Sequence, residues 1–90
     1  MAETNANVTV FDTDGTTRSV EVSKDNMLTE LQTLVGGYIE MVRHHQAPNA
    51  LKPDEIFIVN EEGLLHKLAP NPTVRGLVGN VVLMKDADFD

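Results

Sequence analysis

The Asp14-Gly15 step is the feature that most constrains how this sequence can fold. Glycine adopts positive φ angles without steric cost and aspartate tolerates them, so an Asp-Gly pair is typical of the tight turn in a β-hairpin. A β-branched stretch at residues 8–11 precedes the turn at residues 12–15, and a second β-rich stretch ends at Val22. The sequence therefore predicts a β-hairpin over residues 8–22.

A helix is predicted directly after the hairpin. Residues 23–26 supply Ser, Asp and Asn side chains that can cap a helix N-terminus, and apolar or amphipathic residues then recur at helical spacing, at Leu28, Leu31, Gln32 and Val35. Glycine readily takes the left-handed conformation found after a helix C-terminus. We therefore expect one amphipathic helix that stops at Gly36-Gly37.

The second half of the chain predicts further strands separated by loops. Residues 38–44 alternate in polarity, which favours a strand whose core contacts are Ile39 and Met41. Residues 45–53 contain two prolines and are predicted to form a surface loop. The remaining expectations are a strand at 55–59, a turn at 60–63, a return of Leu64-Leu65 to the core, a break at 69–73, a short helical turn at 74–78 and a final strand at 81–84.

This element order predicts an α+β fold with a small mixed sheet of about five strands and one main helix packed on it. The order of hairpin, helix, strand, strand, short helical turn and strand is similar to that of the β-grasp. With 90 residues, of which 41% are hydrophobic, the chain has enough material for one core. We expect a single domain over residues 1–90, with frayed tails at 1–7 and 86–90 and Phe89 as one apolar contact in the second tail.

Charge and composition exclude several classes of function. The chain has 14 acidic and 7 basic residues, and its net charge of -7 disfavours direct contact with nucleic acid because phosphates are also negative. It has no cysteine, which excludes disulfides, thiol catalysis and cysteine-based metal sites. Since we also see neither a signal sequence nor an apolar run of membrane-spanning length, we expect a cytoplasmic protein without membrane contact.

No residue set in the sequence predicts catalysis. Glu61 and Glu62 are adjacent, but neighbouring carboxylates in a turn rarely converge on one proton or one metal ion. His44 and His45 point to opposite faces of an extended segment, so at most one of them could join His66 in a zinc site. The glycine pair at 36–37 follows a helix and lacks a P-loop lysine. We therefore predict neither an enzyme nor a cofactor nor a bound metal.

Four segments of the chain resemble a known family. Residues 31–40, 58–64, 69–71 and 78–82 together are similar to the domain of unknown function 3846. Members of that family are small proteins or domains of phages, plasmids and other mobile elements. The resemblance implies a mobile-element origin, and it implies no activity that could be assigned to particular residues.

Several polar and glycine positions are characteristic of the family pattern. Local structure accounts for some of them, since the glycines can end a helix or complete a turn and asparagines can hold loop backbone. The polar residues of the pattern, the asparagines included, are also candidates for contact with a ligand or partner. The predicted binding residues are Gln32, Tyr38, Glu40, Asn60, Glu61, Glu62 and Asn71.

Two functional hypotheses follow from these observations. The first is a non-enzymatic binding or regulatory protein of a phage or mobile element, acting through protein–protein contacts, of which anti-defence activity is one form. The second is a small-ligand or nucleotide-binding domain in which Gln32, Glu40, Asn60, Glu61 and Asn71 surround one pocket. The sequence also allows a homodimer through a sheet edge and a plain role in the assembly of a larger particle.

Overall fold

The computed structural model describes residues 5–89. It contains one α-helix and five strands, with two short 3₁₀ helices. In chain order these are β1 (Asn5–Phe11), β2 (Thr17–Ser23), α1 (Met27–Val35), β3 (Ile39–Arg43), a 3₁₀ helix (His44–Gln46), β4 (Glu55–Asn60), β5 (Val81–Lys85) and a second 3₁₀ helix (Asp86–Asp88).

The strands form one sheet in the order β2-β1-β5-β4-β3. The predicted α+β class, the five strands and the single main helix are confirmed. The predicted mixed sheet is wrong, because all four strand pairings are antiparallel. Alternating polarity does not encode strand direction. The direction of β5 is instead set by residues 61–80, which return the chain beside β4 through turns without a crossover helix.

One face of the sheet, the helix side, is covered by α1. Met27, Leu31 and Val35 recur every four residues on the helix, and all three are buried against this face. From the sheet, alternate residues such as Val10 and Ile58 complete the core, and both are fully buried. The predicted helix is therefore confirmed, with Leu31 and Val35 in the core, whereas Leu28 of the predicted stripe is 54% exposed and Met27 is buried in the first turn.

The two ends of α1 are closed in different ways. Gly36 has φ 83° and its N–H donates to the Gln32 carbonyl, so the predicted glycine stop is confirmed. At the N-terminus, Asn26 makes no capping hydrogen bond with its side chain. The Glu30 carboxylate instead accepts from the Ser23 N–H at 3.2 and 3.3 Å and joins the first helical turn to the end of β2.

The opposite face, the loop side, has a second core without a helix over it. Leu51 and Val74 come from the long loops before and after β4, and they pack with Phe57, Val59 and Val81. As a result β4 is buried on both faces from residue 56 to residue 60. The molecule therefore has three layers: a helix, a sheet and a layer of loops.

Two predicted features of the second half differ in the structure. Residues 74–78 form no helical turn, because the chain reverses at a turn from Val74 to Leu77 in which Gly76 has φ 90°. Leu64 and Leu65 do not return to the core, since they are 81% and 73% exposed.

Some of the residues that were expected to fray have regular secondary structure. Residues 5–7 belong to β1 and pair with β2, and residues 86–88 form a 3₁₀ helix. The Asp86 N–H donates to the Asp54 carbonyl at 2.9 Å, and Phe89 packs against the helix-side core. The expected fraying of residues 1–4 and 90 lies outside the described residues. Within residues 5–89, no helix is long and apolar enough to cross a membrane.

Candidate functional site

A cleft of about 330 Å³ lies where β3 and β4 meet the loop that follows β4. Its lining contains four of the predicted binding residues, Glu40, Asn60, Glu61 and Glu62. Because three of these are carboxylates, we call it the acidic cleft. The other lining residues are Val59, Gly63, Leu64, Leu65, Gly76, Leu77 and Val78.

Asn60 has a structural role at the base of this cleft. Its Nδ2 donates to the Val35 carbonyl at 3.2 Å, and its Oδ1 accepts from the Glu62 N–H at 2.8 Å. The first bond satisfies one of the carbonyls left free at the end of α1, and the second shapes the turn after β4. A Cβ on Gly37 would lie 2.9 Å from Nδ2, so the second glycine of the pair makes room for Asn60.

The chain after Asn60 forms a tightly bonded turn over residues 61–68, which we call the Leu64 turn. The His66 N–H donates to the Glu62 carbonyl at 2.9 Å, and the Leu68 N–H donates to the Gly63 carbonyl at 3.0 Å. Lys67 has φ 55°, and it is the one residue other than glycine with a positive φ between residues 5 and 89. These bonds close the turn as a helix end is closed, so its backbone has a defined shape.

Side-chain packing of Leu68 also holds the base of the Leu64 turn in place. Leu68 packs against Gly63 and Gly79, at both of which a Cβ would come close to its side chain. At Gly63 a Cβ would also lie 2.8 Å from Val78. The close packing at these two glycines holds the base of the turn while Leu64 and Leu65 extend into solvent.

The charged residues that line the acidic cleft are all carboxylates, and one cation, Lys67, lies exposed in the Leu64 turn itself. Glu40, Glu61 and Glu62 all lie at the surface, and Glu62 has one partner, the His66 Nε2 at 3.4 Å. Within residues 5–89, no group of three or more His, Cys, Asp or Glu residues is placed to hold a metal ion. The acidic cleft is therefore an open surface of carboxylates and leucines.

The predicted binding residues do not all meet at this cleft. Gln32 lies partly buried on α1. Tyr38, immediately before β3, is 67% exposed, and its carbonyl accepts from the Glu61 N–H at 2.8 Å. Neither lines the acidic cleft. Asn71 lies elsewhere, buried on the loop side.

All the hydrogen bonds of the Asn71 side chain go to backbone. Its Nδ2 donates to the Phe11 carbonyl at 2.8 Å and to the Gly79 carbonyl at 2.9 Å. Its Oδ1 accepts from the N–H groups of Thr73 and Val74 at 3.0 and 2.9 Å. Since Gln32 and Asn71 are outside the cleft, and since Asn60 and Asn71 are satisfied by backbone, the single pocket required by the small-ligand hypothesis is not formed.

Asn80 is a further structural residue that the sequence reasoning missed. Its Nδ2 donates to the Leu34 carbonyl at 3.2 Å, and its Oδ1 accepts from the Thr13 N–H at 3.1 Å. Together with Asn60 it satisfies two neighbouring carbonyls at the end of α1. The sequence does indicate that such donors are needed, because the last turn of α1 contains no basic side chain to bond its free carbonyls.

The free edge of β3 is short. The Glu61 N–H donates to the Tyr38 carbonyl, and with the register of the two strands this bond places the backbone N–H and C=O groups of even-numbered β3 residues towards β4. The odd-numbered β3 residues therefore direct their backbone groups outward. The last of these, Arg43, already donates its N–H to the Gln46 Oε1 at 2.8 Å. Only Ile39 and Met41 remain to pair with another strand on this edge.

The free edge of β2 is longer. Because the Asp12 N–H donates to the Thr16 carbonyl at 2.9 Å, the even-numbered β2 residues bond towards β1. The outward N–H of Ser23 is occupied by the Glu30 carboxylate. The outward backbone groups left for a partner strand are those of Thr17, Ser19 and Glu21.

Shifted pKa values occur away from the acidic cleft. The pKa of Asp54 lies below its ordinary value of 3.8, first because Lys85 donates a hydrogen bond at 2.9 Å and then because of the attraction between the charges. The pKa of Asp14 is lowered mainly by hydrogen bonds from Thr16 in the hairpin turn. The carboxylates of Asp14 and Asp54 are both exposed, so their lowered pKa values reflect local contacts at the surface.

Comparison with known proteins identifies a family. The model of the family described as "Domain of unknown function (DUF3846)" matches residues 6–90. No curated protein and no solved structure matches the chain. The matched region includes the hairpin, the helix, the acidic cleft and the loop-side core.

Proposed function

The chain belongs to the DUF3846 family, and from its surface we propose that it is a non-enzymatic binding protein whose partner is a protein with a basic, partly apolar surface. The observation that carries the proposal is the pair of exposed leucines on the Leu64 turn, which lies among carboxylates. The partner would contact the acidic cleft and the two leucines together.

The exposure of Leu64 and Leu65 supports a binding role energetically. Burial of a leucine side chain contributes about 1.5–3 kcal/mol, and two neighbouring leucines at the tip of one turn can be buried together by a single partner. The hydrogen bonds of the turn hold its backbone in place before binding, which lowers the entropic cost of association. A surface turn that served only to connect strands would gain more from polar residues.

The negative charge of this surface favours a partner of positive charge. Glu40, Glu61 and Glu62 lie beside the leucines, and the whole chain carries a net charge of -7. Such a surface attracts basic proteins and accelerates their association, whereas it repels nucleic acid and anionic membranes. We therefore propose a protein partner and no direct contact with nucleic acid or membrane.

The setting of this interaction follows from the family resemblance. Since members of the family occur in phages and other mobile elements, we propose a cytoplasmic host or element protein as the partner. Interference with a host defence protein is one such role, and the acidic surface supports it through charge complementarity with a basic target.

The experiment compares three forms of the protein as bait. Wild type, the double variant Leu64→Ser/Leu65→Ser and the control Leu28→Ser are immobilised in host lysate, and bound proteins are quantified by mass spectrometry. Leu28 is 54% exposed on the helix and lies outside the acidic cleft, so it is a matched leucine at a different site. We expect a basic protein that is enriched by wild type and Leu28→Ser and lost with the double variant.

The proposal also predicts how this complex responds to salt and denaturant. Enrichment should fall as salt rises, because charge attraction contributes to the association. The double variant should unfold within about 0.5 kcal/mol of wild type, because both leucines are largely exposed in the folded protein. Equal recovery of every bound protein by the double variant and wild type would exclude the Leu64 turn as the binding surface.

A homodimer is a second candidate, favoured by the free edge of β2. An antiparallel copy could pair with the outward backbone groups of Thr17, Ser19 and Glu21. Light scattering after size-exclusion chromatography over a range of concentrations tests it, with Ser19→Pro as the variant that removes a central N–H. A monomer mass at all concentrations would exclude the dimer.

A further inference from the structure

A second cleft, of about 550 Å³, lies on the loop side of the sheet between the loops before β4 and before β5. Its lining includes Phe11, Phe57 and Leu83 from three neighbouring strands. Val74 belongs to the same loop-side core and also lines the cleft. The two loops do not cover this part of the sheet completely, so an apolar surface is accessible between them. We call it the loop-side cleft.

The polar residues of the loop-side cleft are unusual for this chain. Asn49, Thr73 and Arg75 line it together with Ala50, and the lining contains no carboxylate. The whole chain, by contrast, has 14 acidic and 7 basic residues. A negative ligand group in this cleft would therefore meet a cation and neutral hydrogen-bonding side chains, and no lining residue would repel it.

Arg75 is available to such a ligand. Among residues 5–89, ion pairs occupy Arg18, Lys24, Arg43 and Lys85, and none involves Arg75. The guanidinium presents a planar set of N–H donors that matches both oxygens of a carboxylate.

Asn71 holds the turn that carries Arg75 against the floor of the cleft. Its Oδ1 fixes the N–H groups of Thr73 and Val74, where this turn begins. Its Nδ2 bonds to the carbonyl of Phe11, whose side chain lines the same cleft. The turn and the apolar floor are therefore joined through one side chain, which keeps the cleft formed before any ligand enters.

From these contacts we propose that the loop-side cleft binds a small monocarboxylate with an apolar chain or ring. The volume lies within the range typical of small-molecule sites, and the apolar floor suits a hydrocarbon group. A single arginine matches one negative charge, whereas a nucleotide or other polyanion would need several cations in a chain of this net charge. The cleft shares no lining residue with the acidic cleft, so this inference is independent of the proposed protein partner.

The test is an NMR titration of the ¹⁵N-labelled protein with octanoate and, separately, with octanol. The two probes have the same chain length and differ in the carboxylate. At about 0.15 M salt, where the Debye length is about 8 Å, distant charges are largely screened and the contribution of Arg75 is local. Octanoate should cause saturable shifts at the amides of residues 49–50 and 73–75, and octanol should bind about five- to tenfold more weakly.

Two variants assign the charge contribution. Arg75→Gln should weaken octanoate binding about five- to tenfold and leave octanol binding unchanged. Lys24→Gln removes one positive charge from a lysine that lines neither cleft and should bind octanoate as wild type does. Ala50→Trp, which places an indole at the cleft, should reduce binding of both probes.

Three results would overturn the proposal. They are octanoate shifts that do not saturate, octanoate shifts centred on the Leu64 turn, and equal octanoate affinity in wild type and Arg75→Gln. Because Arg75 is exposed, the spectrum of the variant without ligand shows directly whether its fold is retained. If that spectrum were disturbed, Arg75→Lys would supply the comparison, since it keeps the charge and loses the planar donor set.

Discussion

The helix side and the loop side of the sheet are both buried, yet they are built by different interactions. On the helix side, a stripe of three residues on α1 packs against alternate strand residues. On the loop side, irregular segments carry Leu51 and Val74 onto the sheet, and Asn71 fixes the position of the second segment by bonds to backbone. The helical spacing of apolar residues is sufficient to cover the helix side of the sheet, whereas the covering of the loop side depends on individual polar side chains.

The helix side and the loop side also differ in the clefts that they present to solvent. The acidic cleft and the loop-side cleft are both lined by the loop between β4 and β5. A loop layer leaves gaps and exposed turns that a packed helix would fill, and binding residues are often found on such loops above a rigid sheet. The loop side is therefore where we place both proposed binding surfaces.

The largest expected effect compares two buried leucines, one on each side. Leu31 on the inner face of α1 is fully buried, and Leu51 in the loop before β4 is 4% exposed. We expect Leu31→Ala to lower the free energy of unfolding by about 3–4 kcal/mol and Leu51→Ala by about 2 kcal/mol, because a loop can move to fill a cavity better than a helix can. Urea unfolding of both variants measures this difference. Equal losses would show that the loops are packed as rigidly as the helix.

The next comparison concerns the polar support of the loop side. Asn71→Ala removes the bonds to Phe11, Gly79, Thr73 and Val74 and should cost about 2–3 kcal/mol, because it leaves buried backbone groups without partners. Hydrogen exchange should accelerate most in residues 71–79, with α1 less affected.

Asn49→Ala is the matched control for Asn71→Ala. Asn49 is an exposed asparagine in the other loop, and its replacement should change stability by no more than about 0.5 kcal/mol. A uniform increase of exchange over the whole chain in Asn71→Ala would contradict the view that this side chain supports the loop side in particular.

The smallest expected effect lies on neither face, at the exposed pair between Asp54 and Lys85. The hydrogen bond from Lys85 lowers the pKa of Asp54 in the folded state, so the pair stabilises the fold above the unfolded pKa and loses this contribution as the pH falls through the folded pKa. Lys85→Gln should raise the pKa of Asp54 towards its ordinary value of 3.8, as measured by NMR titration of the carboxyl carbon. An unchanged pKa in this variant would show that the pair does not form in solution.

The sequence predicted the polar residues that line the acidic cleft but did not predict the exposed leucines beside them. Four of the seven predicted binding residues, Glu40, Asn60, Glu61 and Glu62, line one cleft, and the other three do not. The exposure of Leu64 was not predicted, because an apolar pair after a strand normally indicates core. Its position depends on the bonds of the Leu64 turn and on the close packing of Leu68 at Gly63, neither of which has a periodic signal.

What the sequence determined by itself is the set of elements whose cause is local. The Asp14-Gly15 turn, the spacing of Leu31 and Val35, and the stop at Gly36 each follow from backbone preferences and periodicity within a few residues, and each is found where it was predicted. These choices are made by short-range sterics and hydrogen bonding, which do not depend on the rest of the fold.

The tertiary structure decided the features that depend on distant residues. These are the antiparallel direction of β5, the second core beneath the loops, and the bonds from Asn60 and Asn80 to the end of α1. The partners in the last case are 25 and 46 residues apart in the chain. Buried backbone groups need partners, but the residue that supplies each one is chosen by which segments the fold brings together.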